Sequence, residues 1–169
     1  MTWYDFLKDF QTALVGLIGF GGVIIAQFVN GWLSRSRDDA LLASEQASIR
    51  KALLAELRVL KAAFETEFEP PDPTGQNFTL VPRMYRKVSV GLMDQIGKLN
   101  ETEAEEVFRA LATIDEYDRS LALISSDANE QHFSIPDRAA SAFLMKRENL
   151  VNQLKPAIDV LSANAKATK

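Results

Sequence analysis

The residues of this chain whose types and spacing bear on chemistry are a lone histidine, one knot of carboxylates and a glycine run. His132 stands in Asn129-Glu-Gln-His-Phe133, and the chain holds no second histidine and no cysteine. General acid–base work rests on a titratable group held by a partner, nucleophilic work on an activated hydroxyl or thiol, and metal chemistry on converging ligands. A single loop histidine supplies none of these and reads as a surface or capping residue. Asp115, Glu116 and Asp118 are the candidate divalent-cation cluster, but their spacing matches no calcium loop, so a solvated helix face is the better reading. No Glu-x-x-His pair and no Gly-x-Ser-x-Gly elbow occurs. Gly16-x-x-Gly19-x-Gly21-Gly22 is as glycine-rich as a phosphate loop, yet it lacks the Lys-Ser/Thr ending and lies inside an apolar run. The expectation is no enzyme, no cofactor, no metal site and no small-molecule substrate.

Nucleic acid is unsupported on charge. The chain of 169 residues has a formal net charge of -4, and Arg83, Arg86 and Lys87 form its one small basic cluster past the membrane-exit arginines. The absence of thiols excludes a disulfide-stapled module. Pro70 and Pro73 make a weak Pro-x-x-Pro match, read as a turn. Asn77-Phe-Thr79 and Asn100-Glu-Thr102 match glycosylation sequons that matter only in a secretory lumen.

Charge is unevenly spread, and that decides the class. From Gln11 to Leu33, 23 consecutive residues carry no charge. Ala13 to Leu33, wound as a helix, rises about 31 Å, which matches a hydrocarbon core of about 30 Å. In lipid only a helix satisfies its own backbone, so a transmembrane helix is expected over 12–33 despite its glycines. Trp3, Tyr4, Phe6 and Phe10 precede it and Trp32 closes it, the pattern of interfacial anchors. No positive segment precedes the apolar run and no small-x-small site ends it, so a cleaved signal peptide is not expected. Lys8 is the only basic side chain before the span, whereas Arg35, Arg37, Arg50 and Lys51 follow it. The positive-inside rule then puts the N-terminus outside and the C-terminal part in the cytoplasm of a cell with an inner (plasma) membrane, with Arg35 and Arg37 at the lipid headgroups.

The span has two unlike faces. At 100° per residue Thr12, Gly16, Gly19, Gly22, Ala26 and Asn30 share a sector of about 120°. Leu14, Leu17, Phe20, Ile24, Ile25 and Phe28 cover most of the remainder. Small residues let helix backbones approach, and Asn or Thr can hydrogen-bond across the contact. The small side is therefore expected to be a helix-packing face, and the bulky side to meet lipid.

Beyond the span the pattern is helical, and the fold class expected is all-α. The membrane helix is expected to continue into a long amphipathic arm over 34–68, packed with a small antiparallel helical bundle. In the arm Leu42, Ile49, Leu53, Leu57, Leu60, Phe64 and Phe68 recur at helical steps, with Glu45, Arg50, Glu56, Arg58 and Lys61 mostly off that stripe. A coiled coil is possible over so few heptads, but packing against the chain's own later helices is preferred. A proline-rich loop follows at 69–83, in which Phe78-Thr-Leu-Val81 is too short a strand signal to found a sheet. In the bundle segment 84–164, Tyr85 to Leu99 reads as a short helix, weakened by Gly91 and ended near Gly97, and Asn100 with Glu103 as a capping box. Ala104, Val107, Leu111, Ile114, Tyr117, Leu121 and Ile124 point inward on the next helix. Ser134 with Asp137 and Pro136 is read as the start of the last helix, kinked by Pro156 and ending in a frayed tail at 165–169. An interfacial segment, 1–11, precedes all of this.

In layout the chain resembles small single-span bacterial membrane proteins of unknown function with a helical cytoplasmic domain. The resemblance rests on the anchor, the Arg/Ala/Leu/Glu-rich helix after it, the proline loop and Val81-Pro-Arg-Met-Tyr85. It implies no activity and no functional residues. The function expected from the residues themselves is an accessory or scaffold subunit whose partners are the lipid bilayer and other membrane proteins. The alternative is self-association as a homo-oligomeric channel or holin-like pore, with Thr12, Gln27 and Asn30 facing inward.

Overall fold

The computed structural model describes residues 3–66 and 78–167, with side chains at 10–11, 15–66 and 78–165. Phe68, Pro70, Pro73, most of the proline-rich loop and the last two residues lie outside the described residues. The order of elements is α1 (Trp3–Glu65), β1 (Phe78–Pro82), α2 (Lys87–Gly91), a 3₁₀ segment (Met93–Lys98), α3 (Glu101–Ile124), β2 (Asp127–Ala128), β3 (His132–Pro136), a 3₁₀ turn (Asp137–Ala139) and α4 (Ala140–Ala167). The chain is mostly helical, as the periodicity predicts. It forms two units, Met1–Glu45 and Gln46–Lys169.

The core lies in the second unit. From α1, Ile49, Leu53, Leu57, Leu60 and Phe64 are buried in it, at the helical steps read from the sequence. Leu42, placed in the same row, is exposed, so the buried stripe begins at Ile49. α3 contributes Val107, Ala110, Leu111, Ile114, Tyr117 and Leu121, and α4 contributes Phe143, Leu150, Leu154, Ala157 and Leu161. The fully buried alanines Ala110 and Ala157 suit the close approach of α3 and α4. The Phe64 and Tyr117 rings meet edge to face, centroids 5.2 Å apart at 79°. Each buried leucine or phenylalanine stabilises the unit by about 1.5–3 kcal/mol relative to exposure. The arm's stripe is thus used on the chain's own helices.

Four expectations are corrected. Phe78-Thr-Leu-Val-Pro82 does found a sheet, because its partner strand comes from residues some 50 positions later. β1 pairs antiparallel with β3, Thr79 opposite Ile135 and Val81 opposite Phe133, and β2 pairs on the other side in the order β1-β3-β2. Pro82 and Pro136 sit at strand ends, where a missing N–H interrupts no ladder. Second, Ser134 does not cap the last helix. It is buried mid-strand, where its N–H donates to Ser125 Oγ and its carbonyl accepts from the Ser126 N–H. α4 starts only at Ala140, after the 3₁₀ turn opened by Asp137.

Third, the Tyr85–Leu99 helix is split. α2 stops at Gly91 and a 3₁₀ segment carries the chain to Lys98, burying Ile96. Glycine, poorly suited to helix interiors, marks the break. Fourth, α4 continues past the expected end at 164 as far as Ala167, and Pro156 lies within it. The Asn100–Glu103 capping box forms in both directions: Asn100 Oδ1 accepts from the Glu103 N–H at 2.9 Å, and Glu103 Oε2 accepts from the Asn100 N–H at 3.2 Å.

Candidate membrane helix and its small-residue face

The first unit holds the candidate functional surface. The described part of α1 from Val15 contains an 18-residue window of mean hydropathy 1.5, none of it buried. It is the one helix among the described residues long and apolar enough to cross a membrane. Its bulky side chains stand out from the helix, Leu17 at 74% and Phe28 at 76% exposed. Phe10 and Trp32 are exposed as well, and 22 residues of helix between them rise about 33 Å. The side chains of Trp3, Tyr4 and Thr12 lie outside the described residues.

Unbroken helix from Trp3 onward puts Gly16, Gly19, Gly22, Ala26 and Asn30 on one side. A Cβ built at Gly16, Gly19 or Gly22 meets nothing within 4 Å, so these positions are open to a neighbour. Ala26, Gln27 and Asn30 are exposed. Arg35 and Arg37 follow, both exposed, and no ion pair engages either among the described residues.

The chemistry-bearing residues of the second unit are taken up by structure. Asp115 pairs with Arg86, whose guanidinium also reaches the Leu111 carbonyl at 3.3 Å. Burial raises the Asp118 carboxyl above its ordinary range; Arg83 and Arg86 pull it back, and Asp115 pushes it further up. Glu116 instead lines a small cleft with Tyr117, Ser120, Lys146 and Asn149. Among the described residues no three His, Cys, Asp or Glu side chains converge as metal ligands would. Arg83 lies 4.3 Å above the Phe133 ring centroid, so two of the three cations of the basic cluster are already engaged. His132 opens β3, and its Nε2 lies 3.2 Å from Asn129 Nδ2.

One constellation had no sequence expectation. Glu103, with no exposed surface, accepts at Oε1 from Arg50 Nε at 2.5 Å and from Asn164 Nδ2 at 2.9 Å. Burial alone would raise its carboxyl. The hydrogen bonds from Arg50, Asn164 and the Asn100 N–H, with the Arg50 charge, outweigh it and hold the group below the usual glutamate range. Three helices are joined at this point. The available signal was that Arg50 follows core residue Ile49 and so borders the buried stripe. A second carboxylate, Glu56, accepts the N–H groups of Val88 at 2.9 Å and Ser89 at 2.8 Å, capping α2 from α1.

No protein-family model, no curated protein and no solved structure matches this chain.

Proposed function

We propose that the chain is a non-enzymatic, single-pass membrane protein that serves as an accessory or scaffold subunit of a membrane-protein complex. The observation that carries the reading is an apolar helical window with none of its residues buried. Leaving so many side chains of leucine and phenylalanine size in water costs about 1.5–3 kcal/mol each, a cost a bilayer removes. Within the bilayer, lipid contact gives no drive for helix association, so contact faces rely on close approach. The open glycines at 16, 19 and 22 supply it, and Ala26 and Asn30 extend the face. Arg35 and Arg37 set the C-terminal unit on the cytoplasmic side of an inner (plasma) membrane.

A photo-crosslinking side chain placed at Gly19 or Gly22 in the native membrane should give a discrete adduct with another membrane protein, and one at Leu17 only lipid adducts. Gly19→Leu should abolish co-purification of that partner. Extraction as a monomer, without an adduct from either glycine position, overturns the scaffold reading. The exposed amides Gln27 and Asn30 favour a second reading, since amides at membrane depth seek hydrogen-bond partners. That reading is a homo-oligomeric pore, and its signature is an adduct with another copy of this chain and ion release from loaded vesicles.

A further inference from the structure

On the same helix, away from the small-residue face, Gly31 opens a hollow of about 420 Å³ lined by Gln27, Phe28, Trp32 and Arg35. Its make-up follows from helical spacing. Gln27, Gly31 and Arg35 stand at i, i+4 and i+8, with Phe28 and Trp32 one residue on as an adjoining wall. The middle position has no side chain, and a Cβ built there meets nothing within 4 Å. The hollow therefore has an apolar wall, an amide at its deep end and a guanidinium at its outer end, where the uncharged run stops.

We propose that this hollow binds one phospholipid with an anionic headgroup, a proposal that rests on the membrane-span reading. Arg35, exposed and without an ion-pair partner among the described residues, takes the phosphate. The acyl chain lies in the gap at Gly31 against Phe28 and Trp32. Gln27, about 12 Å deeper along the axis, closes the inner end of the hollow. A zwitterionic lipid fills the gap equally well but brings no net charge to Arg35, so preference comes from the headgroup. Gly31 points about 120° away from Gly19, the middle of the small-residue face, so a lipid here leaves that face free for a protein.

The full chain carrying Trp3→Phe has Trp32 as its one indole, which makes the site report on itself. The measurement is quenching of Trp32 by brominated phosphatidylglycerol against brominated phosphatidylcholine in reconstituted vesicles. The proposal expects phosphatidylglycerol to be preferred about fivefold, the share of one cation near the headgroups. Gly31→Leu, which fills the hollow and suits a helix, and Arg35→Gln should each reduce the preference to near unity. Arg37→Gln, on another side of the helix, should keep it. Equal quenching by the two lipids, or a preference untouched by Gly31→Leu and Arg35→Gln, overturns the site while leaving the membrane span in place. No quenching by either lipid overturns both.

Discussion

Arg50 on α1 and Glu103 at the start of α3 meet at 2.5 Å, the glutamate fully buried and the arginine nearly so. The same carboxylate caps its own helix through the Asn100 N–H and accepts from Asn164 on α4. Removing one partner strands a buried charge. Glu103→Ala is expected to destabilise the Gln46–Lys169 unit by about 3–5 kcal/mol, and Arg50→Met with Glu103→Leu together by less than Glu103→Ala alone. Urea unfolding of the three proteins in one detergent measures both.

Acid acts on two carboxylates with opposite sign. Glu103 is held below its ordinary value of 4.5, so its stabilisation is complete above that value and is lost as pH falls through the lower folded value. Asp118 is raised above its ordinary 3.8, so the folded state holds its proton more firmly and gains stability as pH falls through the raised value. Glu103→Gln should therefore flatten the loss of stability below pH 4.5, while Asp118→Asn should raise stability at neutral pH. Thermal midpoints between neutral pH and acid, compared with the parent chain, check both signs.

Glu56 holds α2 from outside. Its two oxygens take the N–H groups of Val88 and Ser89, donors a helix leaves unpaired at its start. Glu56→Ala should cost about 0.5–2 kcal/mol and speed amide exchange first at those two residues, leaving the Leu121 amide protected.

The Tyr117 hydroxyl is buried without a hydrogen-bond partner among the described residues, although its ring packs on Phe64. An unsatisfied buried hydroxyl costs about 1–3 kcal/mol, so Tyr117→Phe should leave stability unchanged or raise it. Phe64→Ala, which removes the ring contact and opens the core, should lower it by about 3–5 kcal/mol. Denaturant midpoints of the two variants separate the hydroxyl from the ring.

What could be read in the sequence is what local signals encode. The uncharged stretch from Gln11 needs no partner to be recognised, and the Asn100–Glu103 box is written in four consecutive residues. The inward row of α3 follows from a single period: Val107, Leu111, Ile114, Tyr117 and Leu121 are buried, and Ala104 and Ile124 at its ends are partly buried against the same core. The sheet escaped because Phe78–Pro82 is paired by His132–Pro136, and neither segment announces the other. The Ser134–Pro136–Asp137 pattern suits a helix start, yet pairing on both edges of β3 won over it. Arg50 and Glu103 are 53 positions apart, and one charge on each of two helices carries no mark of its partner. On α1, composition and period gave the arrangement of glycines. The hollow at Gly31 became visible only once its four neighbours had positions.

The division of the core between α1 and α4 also sets an order of events during synthesis. Ile49, Leu53, Leu57 and Phe64 leave the ribosome about a hundred residues before Leu150, Leu154 and Leu161, with which they share one core. At about 5–20 residues per second that is a wait of about 5–20 s. Through that interval, on the proposed membrane reading, the newborn arm carries a bare apolar row directly behind an apolar anchor, and the two are sorted between bilayer and water. The charges interleaved with the arm's row, Arg50 and Lys51 among them, set it apart from the uncharged run before it.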